Sequence, residues 1–357
     1  MHITRKAWAV ALALALVATA GEAWAADEPQ AAGKTVRSNG DMDGLTSKFI
    51  DVNGVRTRYY DYGQGDPLVL LHGGSIGTFT RPRNSANVWT ANIPGLAKTF
   101  RVLAPDRIGA GLTDIPGDDT QLSREGDAEH VYQFIKALGL PPVHIAGHSA
   151  GGGIAITLAL RHPEVVKTLI IVSVGGGADT PLPLVGIQSI SYIREWACTS
   201  LAKVDEMLAF RCWCNVMSQD PTVWTDEYFD TSWSMYNQPR QRTIQSHLAS
   251  GAGAAQRQTE RGMTWRILKE KAGPSAWQMP ILYVAAANDT HDHMPVDQIS
   301  GMQRVLGLYS FFGSFNDRTL LVVYDEGGHF PYKKYPDRFN YDITRFIEYW
   351  KDKPVVK

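Results

Sequence analysis

The pentapeptide Gly147-His148-Ser149-Ala150-Gly151 sets one serine between two glycines, after an apolar run and before an Ala/Ile/Leu-rich segment with helical spacing. That pattern describes a tight strand-to-helix turn. It forces strained dihedrals on the serine and lifts the hydroxyl to the carboxyl edge of a sheet, over a helix N-terminus. Side chains in place of the glycines would collide with the neighbouring strand and helix. A lone serine hydroxyl is a poor nucleophile; it needs a base to take its proton and a carboxylate to hold that base. Asp289 and His329 supply them in the chain order Ser, Asp, His, each just after an apolar run that predicts a strand. Upstream, His72-Gly73-Gly74 ends another such run, where a main-chain amide can face a developing oxyanion. Gly74 and Ala150 are the expected donors, with Ser75 a neighbouring candidate for contact with substrate.

Competing readings of nearby residues are weaker. Asp292 and Asp325 are alternative acids, but Asp289 comes directly at the end of its strand. His72 and His148 flank the glycines of two functional loops and suit hydrogen-bonding scaffold roles. Asp106 is expected to orient the loop through Gly109 and Gly111. His291-Asp292-His293 resembles a metal-binding stretch but offers too few ligands for a closed site, so no metal is expected. Arg81 and Arg83 read as solvated loop charges, with contact to a substrate carboxylate as the sharper alternative.

The elements that must position these groups are legible as short apolar runs alternating with helical patterns. Asn53-Gly54 joins two strands in a hairpin. Strands are predicted at 67–74, 100–106, 143–149, 167–173, 280–289 and 319–329, a helix from Ser123 to about Leu138, and an amphipathic helix over 336–350. Near-continuous Val/Ile/Leu strands separated by helices imply a parallel sheet covered on both faces. Between 177 and 273 strands vanish and Trp, Met and all three cysteines gather, which reads as a helical cap over the strand ends. The core is then 46–176 with 274–357. Trp196 and Trp213 are cap aromatics that could face substrate. Cys198 is expected to pair with either Cys212 or Cys214.

The net charge of −1 over 357 residues gives no reason to expect nucleic acid or an anionic membrane as partner. Arg5 and Lys6 precede an apolar run to Ala20, then Ala23-Trp24-Ala25, the order of a signal peptide cleaved before Ala26. The run is shorter than the ~20 apolar residues a membrane span needs, so no stable insertion is expected after cleavage. Residues 26–45 read as a flexible lead-in, and the mature chain as periplasmic or secreted, a monomer or homodimer.

With "LLHGG", "PDRIGAGLTD", "GHSAGG", "AAANDTHDHMP" and "GGHFPYKKYPDRFN", the chain resembles the α/β-hydrolase superfamily. Within it, the chain is most similar to capped members such as meta-cleavage-product (C–C bond) hydrolases and related carboxylesterases. The resemblance implies an α/β fold with a mostly parallel eight-stranded sheet, helices on both faces, a helical cap after the sixth strand, and no cofactor. The C–C hydrolases commonly carry tryptophan after the catalytic histidine, where this chain has Phe330, also a candidate substrate contact. That departure favours a carboxylic ester, with a hydrophobic or aromatic group, cleaved by a secreted serine hydrolase through an acyl-enzyme. The alternatives are C–C hydrolysis of an aromatic ring-fission product, or a non-catalytic binding protein on the same scaffold.

Overall fold

Asn53 and Gly54 both take positive φ, 51° and 84°, and close a two-residue turn between β1 (Lys48–Val52) and β2 (Val55–Tyr62). Such turns need left-handed backbone at both positions, which Asn-Gly tolerates best. The computed structural model describes residues 39–74, 84–174, 197–250, 277–289 and 298–353, with side chains of the last segment described from 306. The leader at 1–25, Ser75, Arg81, Arg83, Trp196, His291, Asp292 and His293 lie outside the described residues.

The remaining strands are β3 (Pro67–Leu71), β4 (Arg101–Pro105), β5 (Val143–His148), β6 (Val166–Val172), β7 (Ile281–Ala286) and β8 (Thr319–Tyr324). They form one eight-stranded sheet in the order β1-β2-β4-β3-β5-β6-β7-β8. The two pairings of β2 are antiparallel and all others parallel. Every residue of β3, β5 and β7 is buried, as strands covered on both faces must be.

Alternate residues of each strand enter two separate cores, the two-residue period of a pleated sheet. Val69, Leu71, Ile145, Leu169, Ile171 and Tyr283 pack on one face, against α1 (Arg124–Ala137) and α2 (Ala150–Arg161). Leu68, Leu70, Ala146, Ile170, Leu282 and Val284 face the other way. The helix α1 starts at Ser123, whose hydroxyl accepts from the Gly126 amide at 3.0 Å, and buries Val131, Phe134 and Ile135.

Between β6 and β7 the described residues hold helices and no strand. These are α3 (Glu206–Ser218), α4 (Asp226–Tyr236) and α5 (Pro239–Ala249). Their buried residues Phe210, Trp213, Met217 and Tyr228 join the second core. Cys198 is bonded to Cys212 with Cα atoms 5.3 Å apart, while Cys214 keeps a buried thiol outside that bond. After β7 come α6 (Gln298–Gly313) and, after β8, α7 (Pro336–Trp350). The last helix buries Phe339, Ile343, Phe346 and Ile347 on one stripe, each worth about 1.5–3 kcal/mol of burial.

One expectation is corrected here. Of the lead-in read as flexible over 26–45, residues 26–38 lie outside the described residues, and within the rest Asp41, Met42 and Leu45 are buried and Met42 bridges to Leu45. The polar composition hid this, because the segment is held by its main chain. The Gly40 carbonyl accepts from Tyr60 Oη at 2.8 Å and from Asn87 Nδ2 at 3.1 Å. Among the described residues no helix is long and apolar enough to cross a membrane, and no cluster of three or more His, Cys, Asp or Glu could hold a metal ion.

Candidate active site

Ser149 stands between β5 and α2 at φ 53°, ψ −122°, a left-handed conformation that costs a serine strain of order 1–3 kcal/mol. The flanking glycines make the turn possible by what they lack. A Cβ on Gly147 would lie 2.3 Å from the Gly151 carbonyl oxygen, inside α2. One on Gly151 would lie 2.5 Å from the carbonyl oxygens of Leu71 and His72, at the end of β3. Strand, turn and helix therefore touch main chain to main chain. The Ser149 amide is spent on the Val172 carbonyl at 2.9 Å, which ties the turn to β6.

Asp289 and His329 follow β7 and β8 and meet at this edge: His329 Nδ1 lies 2.9 Å from Asp289 Oδ2. The carboxylate accepts, so Nδ1 carries the proton and Nε2 keeps its lone pair, the arrangement a general base needs. The imidazole is buried and the carboxylate only slightly exposed. Asp325, the rival acid, is exposed. His148, the neighbour of Ser149, joins the two loops. Its ring lies 4.7 Å from that of His329, and its Nε2 donates to the His329 carbonyl at 2.7 Å. That bond leaves His148 Nδ1 as an acceptor for the buried Tyr332 hydroxyl at 3.3 Å. His148 is thus a scaffold residue, as read from its position.

Gly73 passes so close over the serine that a Cβ there would sit 3.1 Å from Ser149 Cβ. Gly74 follows at φ 88°. Ala150 opens α2; the Gly152 and Gly153 amides donate to the Ser149 carbonyl at 2.9 and 3.2 Å, while an amide at the first helical position has no carbonyl within the helix to serve. Of the two expected donors, Ala150 adjoins the serine in the chain, and Gly74 follows the glycine that passes over it. Their loop is held from behind by Arg107, which donates through Nη1 to the Gly74 carbonyl at 2.7 Å and the His72 carbonyl at 3.1 Å. Arg107 Nη2 also pairs with Asp127 at 2.8 Å, both side chains almost wholly buried. The Arg107 amide donates to His72 Nε2 at 3.0 Å. That puts the His72 proton on Nδ1, which donates to the Gly73 carbonyl at 2.9 Å.

Asp106 orients the following loop. Its carboxylate accepts from the amides of Leu112 and Ala86 and pairs with Arg58 at 3.0 Å, both side chains fully buried. A Cβ on Gly111 would lie 2.0 Å from Asp106 Oδ2.

The cap is fastened to the histidine loop. The C-terminal end of α3 offers the Met217 carbonyl, which accepts from the His329 amide at 2.8 Å. Gly328 has φ 53°, and a Cβ there would meet that same oxygen at 2.4 Å. The Gly328 amide donates to Asn288 Oδ1 at 2.9 Å, next to Asp289. Trp213 and Phe330, expected as substrate contacts, are 4% and 1% exposed. Phe330 packs edge-on to Trp224 at 4.9 Å and to Trp213 at 6.2 Å, filling the seam between cap and core.

Sequence reasoning missed Arg107, Tyr332 and the cap carbonyl. Arg107 stood inside a quoted motif, and its place beside a strand end was the only available signal. Lys333 was missed as well. It is buried against the faces of Trp224 and Tyr228, at 4.8 and 5.2 Å, and burial lowers its pKa to about 8.

Comparison with known proteins places residues 66–334 in the family described as alpha/beta hydrolase fold. A 2-hydroxymuconate semialdehyde hydrolase of Pseudomonas sp. strain CF600 is 39% identical over 131 residues, 37% of this chain and 43% of that one. A 2-hydroxy-6-oxo-6-phenylhexa-2,4-dienoate hydrolase of Burkholderia cepacia is 31% identical over 200 residues, 54% of this chain and 65% of that one. The chain therefore spans less than two thirds of the length of either relative. Among solved structures, a meta-cleavage product hydrolase from Pseudomonas fluorescens IP01 superposes with a TM-score of 0.61 at 24% identity, covering 85% of this chain and 98% of its own.

These relatives overturn the ester expectation, since their named activities are on ring-fission products, the reading held as the alternative. The physical reason lies at Phe330. The ester preference rested on that residue and on the export reading, and Phe330 is a buried residue packed in the seam between cap and core.

Proposed function

The chain belongs to the α/β-hydrolase family, and we propose that within it this hydrolase cleaves a carbon–carbon bond of a 2-hydroxy-6-oxo-2,4-dienoate, a ring-fission product. The 39% identity to a 2-hydroxymuconate semialdehyde hydrolase carries the substrate class. The Ser149 turn and the His329–Asp289 pair support the mechanism.

A C–C bond breaks heterolytically only when the departing carbon can delocalise its electron pair. Moving the substrate's 2-hydroxyl proton to C5 gives a 2,6-dioxo-3-ene, in which C5 adjoins the C6 carbonyl and is conjugated through C3=C4 to the 2-oxo group. Ser149 attacks C6 as His329 takes its proton, and the Gly74 and Ala150 amides serve the oxyanion that forms. Collapse breaks C5–C6, and the electron pair passes into a dienolate at C2. The proton held by His329 goes to that dienolate, which leaves as a 2-hydroxydienoate. Water, deprotonated by His329, then releases the acyl group from Ser149 as a carboxylic acid, and Asp289 fixes the imidazole tautomer throughout. Separately, the leader read at 1–25 and the Cys198–Cys212 bond support export.

The test is bleaching of the coloured dienoate. Wild type is expected to discharge the colour and yield the two acids, and Ser149→Ala to lose turnover while its circular dichroism spectrum stays the same. Faster hydrolysis of p-nitrophenyl esters than of the dienoate would sink the C–C reading.

A further inference from the structure

At the opposite edge of the sheet, where β5, β6, β7 and β8 begin, the structure holds a cavity of about 510 Å³. Its size is within the range of small-molecule sites, roughly 300–1,000 Å³. Ser149, Asp289 and His329 all follow the far ends of these strands, and β5 alone, at ~3.3 Å per residue, separates the two edges by about 17 Å.

The charged lining is one-sided. Lys167, Arg318, Lys351 and Lys353 border the cavity, and among the described lining residues Asp66 is the one acid. Lys167 already holds Asp66 at 3.0 Å, and that hydrogen bond keeps the carboxyl below its usual range. Arg318 is largely buried, and its guanidinium lies over the Trp350 ring at 5.2 Å, which limits its orientations. A solvated surface patch would mix signs and lack depth; this wall is concave and carries an excess of positive charge.

His144 supplies a second, independent feature. Its side chain is 2% exposed, and Nδ1 is bonded to Thr168 Oγ1 at 2.9 Å. Its Nε2 is buried with no hydrogen-bond partner among the described residues; Asp66 Oδ2, at 3.6 Å, is beyond bonding distance. Burial lowers the imidazole pKa to about 4, so near neutral pH it is an uncharged ring. A buried ring nitrogen lacking a partner is costly unless something fills that place. Val166, Met279, Pro280 and Ile347 give the wall an apolar stretch, beside the polar Gln278 and Thr168.

We propose that this cavity is a second ligand site, for a small organic carboxylate whose charge sits among Arg318, Lys351 and Lys353 and whose apolar body lies on Met279 and Ile347. Inorganic anions would satisfy the cations but leave the apolar wall wet. Neutral aromatics would do the reverse.

Methyl-13C methionine NMR reads the site directly, with the Met279 signal assigned by its loss in Met279→Leu. Benzoate is expected to shift that signal saturably, and benzamide and inorganic phosphate at equal concentration are not. Lys351 and Lys353 are exposed at the end of α7, so the Lys351→Gln/Lys353→Gln protein, which places no acid there, should keep the wild-type circular dichroism spectrum. Its benzoate affinity should fall about tenfold or more, equivalent to ~1.4 kcal/mol. An unmoved Met279 signal, an equal response to benzamide or phosphate, or an unchanged affinity in the double variant would each overturn the proposal.

Discussion

The Nε2 of His148 donates to the main-chain carbonyl of His329 at 2.7 Å, so the residue beside Ser149 holds the backbone of His329. Tyr332 holds His148 in turn. Because this contact sets position and performs no proton transfer, His148→Ala is expected to lower kcat ten- to hundredfold, the scale of a displacement of about 1 Å. KM should change little, and His148→Gln, which restores a donor, should recover part of the loss. Steady-state kinetics on the three proteins decide it; an unchanged kcat in His148→Ala would show that the base holds its place unaided.

Arg107 joins the loop of Gly73 and Gly74 to Asp127 through a nearly fully buried ion pair. Arg107→Gln strands the Asp127 charge in the core and should cost about 3–5 kcal/mol of stability. The Arg107→Gln/Asp127→Asn double variant should regain much of this, because no charge is then left buried. Urea denaturation measures both. Equal losses in the single and double variants would mean that the stranded charge is not the cause.

Gly328 has left-handed backbone and a cap carbonyl 2.4 Å from where its Cβ would be. Gly328→Ala should therefore destabilise by at least ~1–3 kcal/mol, from backbone strain alone. Activity should fall in step, since the clash is with the oxygen that the His329 amide bonds. A melting temperature equal to wild type would show that cap and loop are not in register as described.

Acid should weaken the fold through two buried imidazoles. Burial lowers the pKa values of His130 and His144 to about 4. The unfolded chain takes up these protons near pH 6.5 and the folded chain does not. Stability is then full above pH 6.5 and falls as pH drops toward 4, by ~1.4 kcal/mol per pH unit for each group. Urea midpoints at pH 7 and pH 5 should show the loss, and His130→Gln should flatten the slope. A midpoint unaffected by this change of pH would contradict the assignment.

What could be read from sequence was local. The glycines around Ser149 collide with main chain only a few residues away or on the adjoining strand, so their spacing carries the geometry. Asp289 and His329 were legible because each follows a strand closely in the chain. The contact between His148 and Tyr332 spans 184 positions, and nothing in either neighbourhood announces it. Phe330 misled for a related reason: its position after the histidine was plain, but its burial under Trp224 is a property of the assembled seam. Nor does a Ser-His-Asp arrangement encode the bond it breaks, because C–O and C–C cleavage share the same attack and differ in how the leaving group spreads its charge.

The bond from the His329 amide to the Met217 carbonyl ties the helical insertion to the loop that carries His329. A chimaera that grafts a foreign insertion onto this core must reproduce the end of one helix to within a hydrogen-bond length. Swaps chosen to alter substrate range would otherwise silence the enzyme for reasons unrelated to the substrate.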